Sequence, residues 1–123
     1  MKLTDEKEIS HWAYHQCLKN DTKQMRNLIT DSEYCYCYCK YVKDREEVRK
    51  NIIKSNIAYW YCRDIKDREE MRKKITESRS SYYYCKDIED REEVWSKITD
   101  SYWAYWYCKF IKDRPEVRRY IKR

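Results

Sequence analysis

Lys43-Asp44-Arg45-Glu46-Glu47-Val48 returns as Lys66-Asp67-Arg68-Glu69-Glu70-Met71, then as Glu89-Asp90-Arg91-Glu92-Glu93-Val94 and Lys112-Asp113-Arg114-Pro115-Glu116-Val117, each copy 23 residues after the last. A Tyr-rich stretch precedes every copy and ends in Cys39, Cys62, Cys85 or Cys108, again 23 apart. A period of about 20–50 residues marks stacked supersecondary units, each too small to bury its apolar face alone. The spacing therefore predicts a repeat fold, and such folds present extended surfaces to partners.

Counting back from the recurring Cys exposes the columns. Seven positions earlier stands Ser10, Ser32, Ser55, Ser78 or Ser101; four earlier a small residue, Ala13, Cys35, Ala58, Ser81 or Ala104. Three earlier is always Tyr (Tyr14, Tyr36, Tyr59, Tyr82, Tyr105), and one earlier Gln16, Tyr38, Tyr61, Tyr84 or Tyr107. Three later comes Val42, Ile65, Ile88 or Ile111. Offsets of −4, −1, 0 and +3 share one face of a helix, so they predict a first helix per unit with a buried seam of small residue, Tyr, Cys and Ile or Val. The Ser column is suited to N-capping that helix.

A second helix is expected to start at Asp. Asp44 with Glu47, Asp67 with Glu70, Asp90 with Glu93 and Asp113 with Glu116 have capping-box spacing. Pro115 falls in the first turn, where its missing N–H is harmless. Val48 and Ile52, Met71 and Ile75, Val94 and Ile98, Val117 and Ile121 lie four apart on one face of about two turns.

Residues 1–31 read as a degenerate copy with one residue missing: His11-Trp12-Ala13-Tyr14 and Cys17 fit the first helix, Met25 and Ile29 the second. A worn first unit suits a capping repeat. The expected fold is therefore all-α: a solenoid of about five short antiparallel helix pairs in one domain, with the cap at 1–31 and repeats at 32–54, 55–77, 78–100 and 101–123. At helix spacings of roughly 8–10 Å, five units make a curved rod about 40–50 Å long.

Composition agrees. There is no Gly and a single Pro, which argues against hairpin-rich β structure and excludes Gly-dependent phosphate loops. Charged residues make up 41%, a solvated helical surface, while 14 Tyr, 5 Trp and 7 Cys stand in for the sparse aliphatics. No apolar run is long enough for a membrane span, and the polar start MKLTDEKEIS lacks a signal-peptide core, so the expected location is cytoplasmic. The net charge of +6 is concentrated at 109–123, where Lys109, Lys112, Arg114, Arg118, Arg119, Lys122 and Arg123 face only Asp113 and Glu116. A basic end, rather than a basic stripe, weakens the case for a generic nucleic-acid sleeve.

The cysteines read as packing groups. Cys17, Cys39, Cys62, Cys85 and Cys108 hold one position in successive units, about one unit apart, too far to share a zinc ion or a disulfide. Free Cys is a small buried hydrophobe. Cys35 and Cys39 share a face and, with His11 or His15, offer an alternative metal-binding reading; substitution of Cys35 into a small-residue slot explains it without a metal. No cofactor or catalytic residue is expected. The Arg column (Arg45, Arg68, Arg91, Arg114) beside Glu and Tyr suits a ladder of hydrogen bonds and ring stacking.

Function is sought where units differ. At −2 lie His15, Cys37, Trp60, Tyr83 and Trp106; at −5, Trp12, Tyr34, Ile57, Ser80 and Trp103; at +2, Tyr41, Asp64, Asp87 and Phe110. These offsets point away from the seam, and Trp103, Trp106 and Phe110 have no following unit to cover them. Together with Trp60, Tyr83, Lys109, Arg118 and Arg119 they form the candidate contact patch, since Trp and Arg are the usual energetic anchors of interfaces.

Tyr61-Cys62-Arg63-Asp64-Ile65-Lys66-Asp67-Arg68 and Tyr107-Cys108-Lys109-Phe110-Ile111-Lys112-Asp113-Arg114-Pro115-Glu116 resemble short Tyr- and Arg-rich tandem repeats of bacterial and phage proteins. Those read Tyr-Tyr-Ala-Arg-Asp-Val, then Lys-Gly-Arg, then Pro-Glu. The likeness covers about residues 32–123, and more weakly the first unit, and transfers no catalytic residue. Here Cys replaces their Ala and Asp their Gly. Occurrence in phage genomes implies a small inhibitor of host defence, such as an anti-CRISPR protein, acting in the host cytoplasm.

The leading functional expectation is thus a non-enzymatic, protein-binding repeat module, with an end-to-end dimer as one possible state. The alternative is RNA or single-stranded DNA binding, because aromatics interleaved with Lys and Arg stack bases and neutralise phosphates. A Cys-based enzyme ranks third, as no nucleophile, base and acid spacing stands out.

Overall fold

The computed structural model describes residues 5–122, which contain ten α-helices and no strand. In chain order they are α1 (Glu6–Lys19), α2 (Lys23–Arg26), α3 (Ser32–Tyr41), α4 (Glu46–Arg49), α5 (Ser55–Asp64), α6 (Glu69–Arg72), α7 (Ser78–Asp87), α8 (Glu92–Trp95), α9 (Ser101–Phe110) and α10 (Pro115–Arg118). Long and short helices alternate, so the all-α helix-pair repeat expected from the spacing is the fold observed. None of the described helices is long and apolar enough to cross a membrane. Two compact units divide between Ile57 and Ala58.

The seam is buried as its offsets dictate. Ala13, Cys35, Ala58, Ser81 and Ala104 have no exposed surface, nor do Tyr38, Tyr61, Tyr84 and Tyr107. The Cys column is buried at Cys17, Cys39, Cys62 and Cys85 and half-buried at Cys108. Val42, Ile65, Ile88 and Ile111 depart from the expectation: they are only half-buried, because the long helix ends before them and each sits at or just beyond its C-terminus. There the carbonyls of Tyr38, Tyr61, Tyr84 and Tyr107 each accept two backbone N–H groups, for instance from Ile111 at 2.8 Å and Lys112 at 3.1 Å.

Two capping expectations are corrected. The Ser column does not cap: Ser32, Ser55, Ser78 and Ser101 are the first helical residues, and Ser10 lies inside α1. Asp5, Asp31 and Asp100 cap α1, α3 and α9 instead, their carboxylates accepting first-turn N–H groups. The Ser hydroxyls are turned toward the chain about 21 residues ahead, where the link before the next long helix needs acceptors. Ser10 Oγ accepts from Thr30 N and Asp31 N, both at 3.0 Å. Ser32 Oγ accepts from Ile53 N and Lys54 N, and Ser78 Oγ from Thr99 N and Asp100 N.

Nor does Asp begin the second helix. Its N-cap is Arg45, Arg68, Arg91 or Arg114, with no side-chain cap bond, and the helix is one turn rather than two. The Asp carboxylates are occupied elsewhere, as acceptors for Tyr and Arg, so they are not available to the helix end. A short run of i→i+3 bonds extends the turn and delivers Ile29, Ile52, Ile75 and Ile98 to the interior. Pro115 does take the first position of α10.

In the first unit α1 packs on α2 and α3, and α3 on α4. Tyr38 donates its hydroxyl to both Asp21 oxygens at 2.9 and 2.8 Å, and Arg45 Nε donates to the same hydroxyl at 2.9 Å. Burial alone would raise the Asp21 pKa, but these donors and Arg26 hold it below the usual carboxylate value. In the second unit α7 packs on α8 and α9, and α9 on α10. Tyr84 donates to Asp67 at 2.8 Å and Tyr107 to Asp90 at 2.7 Å, with Arg91 and Arg114 donating to the respective hydroxyls. The expected Arg–Tyr ladder is therefore present, with Asp of the preceding repeat as its acceptor.

Candidate functional site

The second unit carries an open groove of about 430 Å³ between α7 and α9. Tyr82, Tyr83 and Lys86 of α7 form one wall; Tyr102, Trp103, Trp106 and Phe110 of α9 form the other. Helical spacing explains the set. Tyr102, Trp103, Trp106 and Phe110 fall at successive offsets of one, three and four, a stripe adjacent to the buried seam. Tyr82, Tyr83 and Lys86 fall at successive offsets of one and three on α7 and form the opposite wall.

The rings contact one another in series. Trp103 lies 5.4 Å from Tyr82 and 5.6 Å from Tyr83 between ring centroids. Tyr102 meets both Trp103 and Trp106 edge-on, and Trp106 stacks on Phe110 at 5.2 Å and 6°. Phe110 remains 58% exposed, and Trp103 and Trp106 are half-buried. Lys109 places its ammonium 5.4–5.7 Å from the Tyr105, Trp106 and Phe110 rings, and Lys86 stands 5.9 Å from Tyr83. The result is an apolar floor with two cations at its edge.

Five of the residues singled out from sequence meet here: Tyr83, Trp103, Trp106 and Phe110 in the lining, and Lys109 beside it. Trp60, half-buried on α5, does not line the groove. Arg118 and Arg119 do not either. Arg118 is paired with Asp113 at 2.7 Å, while Arg119 donates to the Tyr120 hydroxyl and lies 4.8 Å from its ring. Arg123, counted in the basic terminus, lies outside the described residues. Sequence reading missed Tyr82, Lys86 and Tyr102. Lys86 was legible, because it holds the same column as Lys109, one residue after the Cys.

Most other cations are engaged within the protein. Arg72 pairs with Asp67 and Glu93, Arg91 with Glu89 and Asp67, and Arg114 with Asp90. Arg114 also covers the buried Trp95 ring at 4.8 Å. Lys97 turns inward, donating to the Arg72 and Ile75 carbonyls. Lys86 and Lys109 instead lie against aromatic rings of the groove and its edge.

The cysteines and histidines form no comparable site. All seven thiols are free, and among the described residues no cluster of three His, Cys, Asp or Glu side chains is placed to hold a metal ion. Cys35 donates to the Ile29 carbonyl at 3.5 Å. His11 and His15 meet edge-on with centroids 4.5 Å apart, and His11 stacks on Tyr34. Burial pushes the Cys39, Cys62 and Cys85 thiols up to about 12, so they stay protonated and poor nucleophiles at neutral pH.

No protein-family model, curated protein or solved structure matches the chain.

Proposed function

We propose that the protein is a non-enzymatic binding module that holds a protein partner in the α7–α9 groove. The observation that carries this reading is the exposed Phe110 beside the half-buried Trp103 and Trp106, in a cleft sized for one or two side chains. Rings held rigid by one another lose little freedom on binding, and such aromatic anchors supply most of the energy of protein interfaces. Because most Arg side chains of the second unit are committed to internal pairs, they offer no continuous track for phosphates. The resemblance to phage repeats is what supports a host-defence protein as the partner.

A second reading, single-stranded nucleic acid, is favoured by Lys109 lying close to three rings at once. A base stacked on Phe110 would bring its phosphate within reach of that ammonium. One experiment separates the two. Wild type and a Phe110→Ala, Trp106→Ala variant are compared for capture of a stoichiometric protein and for binding of a mixed-sequence oligonucleotide over a salt series. Protein capture that the double variant weakens by at least about tenfold supports the first reading. Salt-dependent oligonucleotide binding without protein capture would replace it with the second.

A further inference from the structure

Within each unit two columns join the long helices, and α1 and α9 leave complementary halves of this arrangement exposed. The Tyr three residues before the Cys is buried wherever another long helix follows: Tyr14, Tyr36, Tyr59 and Tyr82. At the last long helix the same residue, Tyr105, is 44% exposed. The residue five before the Cys is buried or half-buried wherever a long helix precedes it: Tyr34, Ile57, Ser80 and Trp103. At the first long helix that residue, Trp12, is 43% exposed.

The internal contacts show how these columns engage. In the first unit Tyr34 of α3 lies 6.0 Å from Tyr14 and 5.2 Å from His11 of α1. In the second, Trp103 of α9 lies 5.4 Å from Tyr82 and 5.6 Å from Tyr83 of α7. The later helix thus seats its −5 ring on the −3 Tyr of the earlier one, with His11 at −6 beside it in the first unit and Tyr83 at −2 in the second. The short helices follow a parallel rule. Arg26 Nε donates to Glu47 at 2.8 Å, and Arg72 Nε to Glu93 at 2.6 Å. Arg118 holds the donor column at the end of the chain, and the exposed Gln24 of α2 holds the accepting column at its start.

We propose that a second copy of this chain stacks head-to-tail on the first, its Trp12 seated on Tyr105 and Trp106 and its Gln24 accepting from Arg118. The occupant is a second copy because the open surface of α9 repeats the one that α7 already presents to a −5 ring, and α1 carries such a ring uncovered. The contact is heterologous: one end of each molecule meets the other end of the next, so it propagates unless it closes into a ring. Trp106 also lines the α7–α9 groove, whereas Trp12 and Tyr105 do not, so variants of those two residues read self-association apart from partner binding there.

The test is sedimentation of this 123-residue chain over a concentration series, with Trp12→Glu and Tyr105→Glu made separately. The wild type should associate with rising concentration. Each variant should shift that association to at least about tenfold higher concentration, as loss of an interface anchor does. An equimolar mixture of the two variants retains one intact pair of ends and should give a 1:1 heterodimer that grows no further. Should a Glu variant lose helicity by circular dichroism, the milder Trp12→Ala and Tyr105→Ala pair repeats the comparison. A wild type that stays monomeric to its solubility limit overturns the proposal. So does a Trp12 variant that self-associates as readily as the wild type, which would mean α9 meeting α9, or a mixture that fails to heterodimerise.

Discussion

The Tyr107 hydroxyl donates to Asp90, 17 residues earlier, at 2.7 Å, from a side chain with no exposed surface. Arg114 closes the arrangement, donating through Nε to the Tyr107 oxygen at 2.7 Å and through Nη2 to Asp90 at 2.9 Å. The ring supplies apolar bulk to the seam while its oxygen joins one repeat's Asp to the next repeat's Arg. Tyr107→Phe keeps the bulk and deletes the junction. It should lower stability by about 1–2 kcal/mol, the scale of a hydrogen bond to charged groups less what water recovers at half-exposed Asp90. Urea unfolding checks it; a midpoint equal to wild type would mean the junction adds nothing.

Ser81 invites the opposite outcome. Its side chain is fully buried and its hydroxyl has no hydrogen-bond partner among the described residues. The same column holds Ala at Ala13, Ala58 and Ala104, so the space fits a methyl group. Ser81→Ala removes a desolvated hydroxyl and should stabilise by about 1 kcal/mol. Thermal unfolding would show a raised midpoint, and a lowered one would reveal a partner for that oxygen.

Stability should fall at alkaline pH before Lys residues titrate fully. Burial, followed by the hydrogen bond to Asp, raises Tyr38 and Tyr59 from 10.0 to about 12, and burial raises Cys39, Cys62 and Cys85 from 9.0 to about 12. Each group keeps its proton in the folded state when the unfolded chain has lost it. Their contribution is therefore complete below pH 9, declines from pH 9 for Cys and pH 10 for Tyr, and is gone above about pH 12. Denaturant midpoints across this window should decrease steadily; a flat profile would show that these groups titrate normally in the fold.

Thiol chemistry should sort the cysteines by position. Cys37 and Cys108 are half-buried, the others buried. With a chromogenic disulfide reagent at neutral pH, Cys37 and Cys108 should react first. Cys39, Cys62 and Cys85 should follow only as slowly as the protein opens. Rapid modification of Cys62 without unfolding would contradict the packed seam.

Much of this was legible in the chain. The period gave ten helices, because a 23-residue repeat with two apolar stripes admits little else, and the offsets −4, −1 and 0 gave the seam. What escaped was the use of each polar group. Ser10 and Asp44 have the residue types and spacings of helix caps, and nothing local says otherwise. Their side chains are directed by groups 5 to 21 residues away: Ser10 by the Asp31 amide, Asp44 by Arg49. Such long-range competition is invisible to a window of one turn. The groove was half readable for a related reason. Its Trp and Phe announce themselves by size, whereas Tyr82 belongs to a column that is Tyr in every unit and Lys86 is one charge among many, so neither marks a groove.

The Ser10, Ser32 and Ser78 tethers find their amides 20 to 22 residues ahead, and Tyr38, Tyr84 and Tyr107 find Asp 17 behind. Partners are thus addressed by count along the backbone, not by identity of the block. Splicing out one whole period should return each hydroxyl whose tether spans the junction to an equivalent mate, whereas a cut of half a period should strand those spanning it. Melting curves of such deletion series would read that arithmetic directly, and they point to how the molecule can vary in length while keeping its interior grammar.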